Sequence, residues 1–293
     1  MKRLTRDNTV PCGMRYKVFE PVMKIDPGET IIVETINHMT PIVRSEADLH
    51  PHRSEGYRER EETGPIYVHG AKPGDSLAIK IEQIDIVGLP HTHGSGPLQD
   101  VYPQKPLAYP VVDGRCQMPG GLSVPLAPMV GDIYTTPGPD GPKFYDHGGN
   151  MDFTEVKPGN ILYLPVLREG GLLVLGDVHA AQGDGEMYGE GAETASDVTV
   201  TIDVDRKYPL SRPMIETKDS FICMACRETY FDSLKLVIED AMKLASAIYG
   251  ISKEDAYIFC TMVGSLRVAG CISNKRATEQ NILLGLSIPK GCK

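Results

Sequence analysis

The stretch GDVHAAQGDGEMYG, residues 176–189, places Asp177, His179, Asp184 and Glu186 within ten residues, separated mainly by glycine and alanine. An imidazole among carboxylates can bind a divalent cation such as zinc, or shuttle protons while one carboxylate orients the ring. The preceding run GGLLVLGDVHA reads as a strand ending near His179. Side chains alternate between faces along a strand, so Asp177 and His179 share a face. The segment Gly183-Asp184-Gly185-Glu186 then turns back over that face. The competing structural reading is a glycine-rich hairpin whose Asp residues cap turns; His179 and Glu186 weigh against it.

A second set lies in YDHGGNMD, residues 145–152. His147, Asn150 and Asp152 flank Gly148-Gly149, where exposed backbone N–H groups can meet an oxyanion or a carboxamide oxygen. The alternative is a tight turn with Asn150 at positive φ. His69 ends an apolar run and either points into a pocket or caps a strand. His50-Pro51-His52 and His91-Thr92-His93 have H-x-H spacing but polar, loop-like surroundings, and are read as solvated. Cys223 and Cys226 form the chain's CxxC, with no second pair and no nearby His, so buried structural thiols before a helix are expected. No G-x-S-x-G marks a nucleophilic serine, and the acidic residues around Gly183, Gly185 and Gly189 would repel phosphate.

The elements that must position these residues carry a recurring signature. Asp26-Pro27-Gly28, Lys72-Pro73-Gly74 and Lys157-Pro158-Gly159 each precede an alternating apolar run such as Ser76–Ile81. Pro presets φ and Gly accepts positive φ, so these are turns leading into half-buried strands, and the last is read as a hairpin. Residues 50–63 are charged and read as a solvated loop. Residues 89–143, rich in Pro and Gly, are expected to wrap the surface and form a pocket wall.

From about residue 209 the texture changes. Leu234, Val237, Ile238, Ala241, Met242, Ala245 and Ile248 fall at helical spacing, with Asp232 as the expected cap and Gly250 as the stop. Ser252 and Asp255 resemble a capping box opening a second helix to about Met262. The expected class is α+β and predominantly β, with a β portion over 1–208 carrying the acidic and His site and an α/β portion over 209–293 packed on the same unit.

Composition narrows the function classes. The net charge of −9 and the absence of a long basic run argue against nucleic acid or an anionic membrane as partner. The N-terminal MKRLTRDNTV leads into no apolar h-region, and no apolar stretch approaches the roughly 20 residues of a membrane span. Seven cysteines, an odd number scattered along the chain, suit reduced thiols in a cytoplasm. Hydrophobic content of 41% supports a full core rather than disorder.

Taken together, VMKIDPGETIIVET, TGPIYVHGAKPGDSLAIKI, HGGNMD, LYLPVLREGGLLVLGDVHAAQGDGE and ISKEDAYIFCTMVGSLRVA resemble the acetamidase/formamidase family across nearly the whole chain. The resemblance implies a jelly-roll-like β-sandwich core with an added α/β portion, usually assembled as an oligomer, with a homodimer favoured. It implies hydrolysis of formamide, acetamide or similar small linear amides, and a divalent metal ion, zinc first and calcium second. The positions matching the family are His147, Asp152, His179, Asp184 and Glu186. The chain departs from the family pattern at Glu61-Glu62-Thr63, at His69 where the family tends to have Glu, and near Tyr188 where a Cys is common. The expected assignment has His147, Asp152 and His179 holding the ion, Glu186 as acid–base, Asp184 orienting a ligand or joining the ion's shell, and Gly149, Asn150 and His69 lining the substrate. A non-catalytic small-ligand or metal-binding β-sandwich remains the alternative.

Overall fold

Three x-Pro-Gly-x turns set the architecture. Each carries the chain from one large sheet to the other rather than closing a hairpin. Met23–Ile25 pairs with Glu61–Val68 in one sheet, and the Asp26-Pro27-Gly28 turn delivers Glu29–Glu34 to the other. The Lys72-Pro73-Gly74 turn does the same between Glu61–Val68 and Ser76–Ile86, and the Lys157-Pro158-Gly159 turn between Gly148–Asn150 and Ile161–Pro165. Gly28, Gly74 and Gly159 have φ of 82°, 97° and 92°, where an L side chain is strained. Each donates its N–H to a strand of the receiving sheet or its edge: to Ile202 O at 2.8 Å, Val166 O at 3.1 Å and Ile81 O at 2.9 Å. The third turn is therefore a crossover, not the hairpin its sequence suggests.

The structure, a computed structural model, describes residues 1–11, 17–37, 42–49, 61–93, 97–98, 101–102, 105–141, 144–208, 210–272 and 281–292. One sheet runs, in spatial order, Lys2–Leu4, Glu29–Glu34, Ser196–Asp205, Ser76–Ile86, Ile161–Pro165, Met214–Glu216, Ser220–Arg227, Asn281–Pro289 and Ser265–Ile272. The facing sheet has Gly148–Asn150, Met129–Tyr134, Leu173–Ala181, Ala192–Glu193, His91–Thr92 and Leu107–Ala108 in order, with Glu61–Val68 also paired to Leu173–Ala181. Between them lies the main core, including Ile31, Val33, Leu77, Ile79, Ile133, Leu173, Leu175 and Val200. The fold is α+β and predominantly β. One sheet holds strands from both expected portions, since Ile161–Pro165 pairs with Met214–Glu216.

Two α-helices stand among the described residues, and neither is long and apolar enough to cross a membrane. Tyr230–Tyr249 packs Val237, Ala241 and Ala245 against Phe221, Cys223, Leu284 and Leu286 on the outer face of the first sheet. Its N-cap is Thr229 rather than Asp232. Thr229 has extended backbone and its Oγ1 accepts from Asp232 N at 3.1 Å, while Asp232 Oδ2 accepts from Thr229 Oγ1 at 2.6 Å. Gly250 at φ 66° ends the helix as expected. Lys253–Val263 opens on Ser252, whose Oγ accepts from Asp255 N at 3.0 Å. Cys223 and Cys226 sit three residues apart on one strand, one in each core cluster, and so cannot chelate together. Burial pushes the Cys226 thiol up to about 12 and the Cys223 thiol higher.

Candidate active site

The site forms where the Leu173–Ala181 strand breaks its own alternation. Leu173 and Leu175 face the main core, then Val178 does, so the apolar positions change parity across Asp177. On the neighbouring strand, Val130 and Ile133 show the same change across Gly131. Gly131 lies opposite Asp177, between the Val130↔Val178 and Asp132↔Gly176 pairs. Asp177 has φ of 54°, the left-handed region that Asp tolerates better than most residues. A Cβ on Gly131 would lie 2.5 Å from Asp152 Oδ1 and 2.7 Å from Asp177 O. Glycine here lets two carboxyl-bearing segments meet over the strand.

His179 sits at the centre, almost wholly buried. Its Nε2 lies 3.1 Å from Asp177 Oδ1 and 4.0 Å from Asp152 Oδ1; its Nδ1 lies 3.9 Å from Glu186 Oε1. Gln182 donates from Nε2 to Asp152 O at 2.7 Å, which turns its Oε1 toward His179 Nδ1 in a second hydrogen bond. Gln182 thus makes Nδ1 the donor and leaves Nε2 toward the two aspartates. Asn150 Nδ2 donates to Asp152 Oδ2 at 2.7 Å, and Gly191 N donates to Glu186 Oε1 at 2.9 Å. A Cβ on Gly191 would fall 2.7 Å from His179 Nδ1, so glycine is needed there as well. Burial pushes the imidazole pKa down, but Asp177, with Asp152 and Glu186, outweighs it and holds it well above the ordinary 6.5.

Among the described residues, two sets of donors stand within 4.8 Å of one another: Asp152, His179 and Glu186, and Asp177, His179 and Glu193. One imidazole among four carboxylates is a strongly cation-seeking environment, and buried carboxylates need such compensation. The donor set, tight and cradled by Gly131 and Gly191, fits a divalent ion.

The expected residues divide clearly. Asp152, His179 and Glu186 come together, and Asn150 buttresses Asp152. His147 is in neither donor set. It is buried against the Tyr134 ring, and the intervening Gly148–Asn150 is extended strand paired to Met129–Tyr134. The backbone O of His147 accepts from Thr135 N at 3.0 Å, whereas Asp152 N donates to Gly131 O at 3.2 Å, four residues back along the neighbouring segment. Gly149 lies buried within that strand. Asp184 turns outward: Arg267 Nε and Nη2 donate to its two oxygens at 2.7 and 2.9 Å. His69 is exposed beside Tyr67, at the opposite end of the paired strands from His179, because Glu61–Val68 runs antiparallel to Leu173–Ala181.

Other residues escape sequence reasoning. His91 and His93 are buried rather than solvated; His91–Thr92 is a short strand paired to Glu193, which in turn pairs with His179. The H-x-H spacing was a usable signal, but the Pro and Gly around it concealed a strand. Glu193 lies in the featureless GAETAS and carries no signal. Glu61, Glu62 and Thr63 belong to a strand, with Glu62 fully buried and accepting from Tyr134 Oη at 2.7 Å. His50 and His52 lie outside the described residues.

Beside Glu186 opens a cavity of about 440 Å³. Residues 107–124 supply one wall and residues 181–192 the other, so the Pro- and Gly-rich segment does build a pocket.

Similarity to known proteins follows the same outline. The model of the Acetamidase/Formamidase family matches residues 139–289, which include Asp152, His179 and Glu186. The chain is 40% identical over 76 residues to a formamidase of Methylophilus methylotrophus, a match spanning 24% of this chain and 19% of that protein, about a fifth of its length. Among solved structures, an acetamidase of Bacillus halodurans is 29% identical with a TM-score of 0.81, covering 98% of this chain and 97% of its own. A protein of Thermoanaerobacter tengcongensis described as a predicted acetamidase/formamidase is 26% identical with a TM-score of 0.87, covering 98% and 95%. With the family model matched over more than half its length, from before the Asp152 loop to the last strand, this chain belongs to the acetamidase/formamidase family.

Proposed function

We propose that the protein hydrolyses small linear amides to ammonia and the carboxylic acid. The family supports the reaction class. The observation that carries it is the convergence of Asp152, His179 and Glu186 within 4.8 Å at the edge of a cavity that Glu186 itself lines.

Asp152 and His179 would hold the divalent ion, with zinc favoured by the imidazole and calcium as the oxygen-seeking alternative. When bound, such an ion supplies a Lewis acid toward the carbonyl and lowers the pKa of water. The chain's own groups do the rest. Glu186 Oε takes a proton from the attacking water and returns it to the leaving nitrogen. The water oxygen bonds to the carbonyl carbon, the C–N bond breaks, and nitrogen departs as ammonia. Gly191 N–H fixes the Glu186 carboxylate, Asp177 and Gln182 fix the ring of His179, and Asn150 fixes Asp152. Asp184 then acts through Arg267 to hold the loop rather than joining the ion. The family resemblance supports a homo-oligomer, with a dimer favoured. The scattered free thiols, such as Cys116, Cys223 and Cys260, support a cytoplasmic setting.

Glu186→Gln tests the assignment. Ammonia release from formamide and acetamide should fall at least about 100-fold, the low end of what a positioned acid–base contributes. Elemental analysis should find the same ion content as wild type. Near-normal turnover would remove Glu186 from the mechanism.

A further inference from the structure

The cavity beside Glu186 is larger than formamide or acetamide needs. At about 30 Å³ per heavy atom, the liquid share of one water, the four heavy atoms of acetamide fill on the order of a quarter of its roughly 440 Å³. The remainder is bounded by apolar side chains: buried Tyr109 and Cys116, half-buried Val124, and the more exposed Leu107, Met118 and Met187. No Lys, Arg or His is among its described lining residues.

Several polar groups on its wall are already engaged. Asp184 is gripped by Arg267. Glu190 Oε2 accepts from the backbone N–H of His93 at 2.6 Å. The Tyr109 hydroxyl lies 2.7 Å from Thr92 Oγ1. No basic residue among the described lining residues anchors a negatively charged substrate, which would meet the carboxylates of Glu186 and Glu190. What the wall offers is apolar area, which selects by the hydrophobic effect.

We infer that the preferred substrate is a primary amide with an uncharged, apolar acyl group of about six to ten carbons, which with the amide oxygen and nitrogen fills roughly half to four-fifths of the cavity at that packing volume. Its carboxamide lies at Glu186 and its acyl tail lies against Tyr109, Cys116 and Val124. This rests on the amide-hydrolysis reading and specifies its substrate. The reaction is unchanged: water oxygen joins the acyl carbon, the C–N bond breaks and ammonia leaves. Each methylene buried against this wall raises kcat/KM about fourfold until the cavity is filled.

The test is ammonia release by the purified full-length protein from formamide, acetamide, butanamide, hexanamide and phenylacetamide. kcat/KM should climb along the series, at least tenfold from acetamide to hexanamide or phenylacetamide. Val124→Phe, which narrows the tail region, should lower the hexanamide-to-acetamide ratio about tenfold. If formamide or acetamide is the best substrate, the acyl-site inference is wrong while amide hydrolysis stands. If the wild type prefers long amides but Val124→Phe leaves the ratio unchanged, the tail does not lie in this cavity. If no amide releases ammonia, the amide-hydrolysis reading fails and this inference with it.

Discussion

Asp152, Asp177 and Glu186 have φ of 41°, 54° and 41°, three non-glycine residues in the left-handed region gathered around one imidazole. Such backbones are unfavourable by about 1–3 kcal/mol each and persist where the surroundings over-determine them, which is characteristic of functional sites. Asn tolerates this region about as well as Asp. Asp177→Asn therefore keeps the backbone and removes the charge nearest His179 Nε2. Affinity for a divalent ion should drop about 10- to 100-fold, with little change in melting temperature, as read by competition with a metal indicator. Unchanged affinity would make Asp177 a packing residue. At this scale the nearness of Asp177 to His179 was legible in their two-residue spacing, whereas the strand alternation expected to produce it fails at Asp177 itself. The separation of His147 was not, because a Gly-Gly segment reads equally well as a turn or a strand.

Among the elements, the two loops that carry Asp152 and Glu186 are held by one side chain from a third. Arg267, on Ser265–Ile272, donates to Asp184 with Nε and Nη2, to Glu155 with Nη1 at 2.7 Å and to Thr154 with Nη2 at 2.8 Å, over the Phe153 ring at 4.8 Å. Gly185 N also donates to Ala269 O at 3.0 Å. Arg267→Met should loosen residues 183–186, lowering kcat about tenfold and speeding hydrogen exchange at Gly185. Arg267→Lys should recover little of either, because an ammonium cannot fork across two carboxylates. Equal activity in all three proteins would show that the loop holds itself. Glu155 gives this clamp a pH signature. Burial alone would push its carboxyl up, but hydrogen bonds from Arg267 and Lys157 hold it below the ordinary 4.5. A depressed folded pKa contributes stability above the unfolded value that is lost as pH falls through the folded one. Wild type should therefore lose about 1 kcal/mol more than Glu155→Gln on acidification from pH 4.5 downward. Parallel acid-unfolding curves would contradict this.

For the molecule as a whole, the nine-stranded sheet unites N-terminal strands with the helix-backed C-terminal ones. Phe153 packs against Gly285, where a Cβ would lie 3.0 Å from the ring, so the C-terminal hairpin supports the floor of the site. Calorimetry should give one cooperative transition, since neither portion completes the shared sheet or its core alone. Two resolved transitions, one of them matching loss of the helices, would show that residues 1–208 are independently stable.

Local chemistry in the chain determined the positions of the turns, the stop at Gly250, the cap at Ser252, the β-rich class and the nearness of Asp177 to His179. Proline, glycine and capping residues act on neighbours a few positions away, so their effects survive without knowledge of the fold. The tertiary structure decided which strand each turn feeds, and thereby that Pro-Gly turns cross between sheets. It also brought Asp152 and Glu186 onto His179, placed Glu193, His91 and His93 behind it, sent His147 and His69 elsewhere and turned Asp184 outward. Those outcomes depend on contacts between residues far apart in sequence, and register along a paired strand, at about 3.3 Å per step, is what selects them.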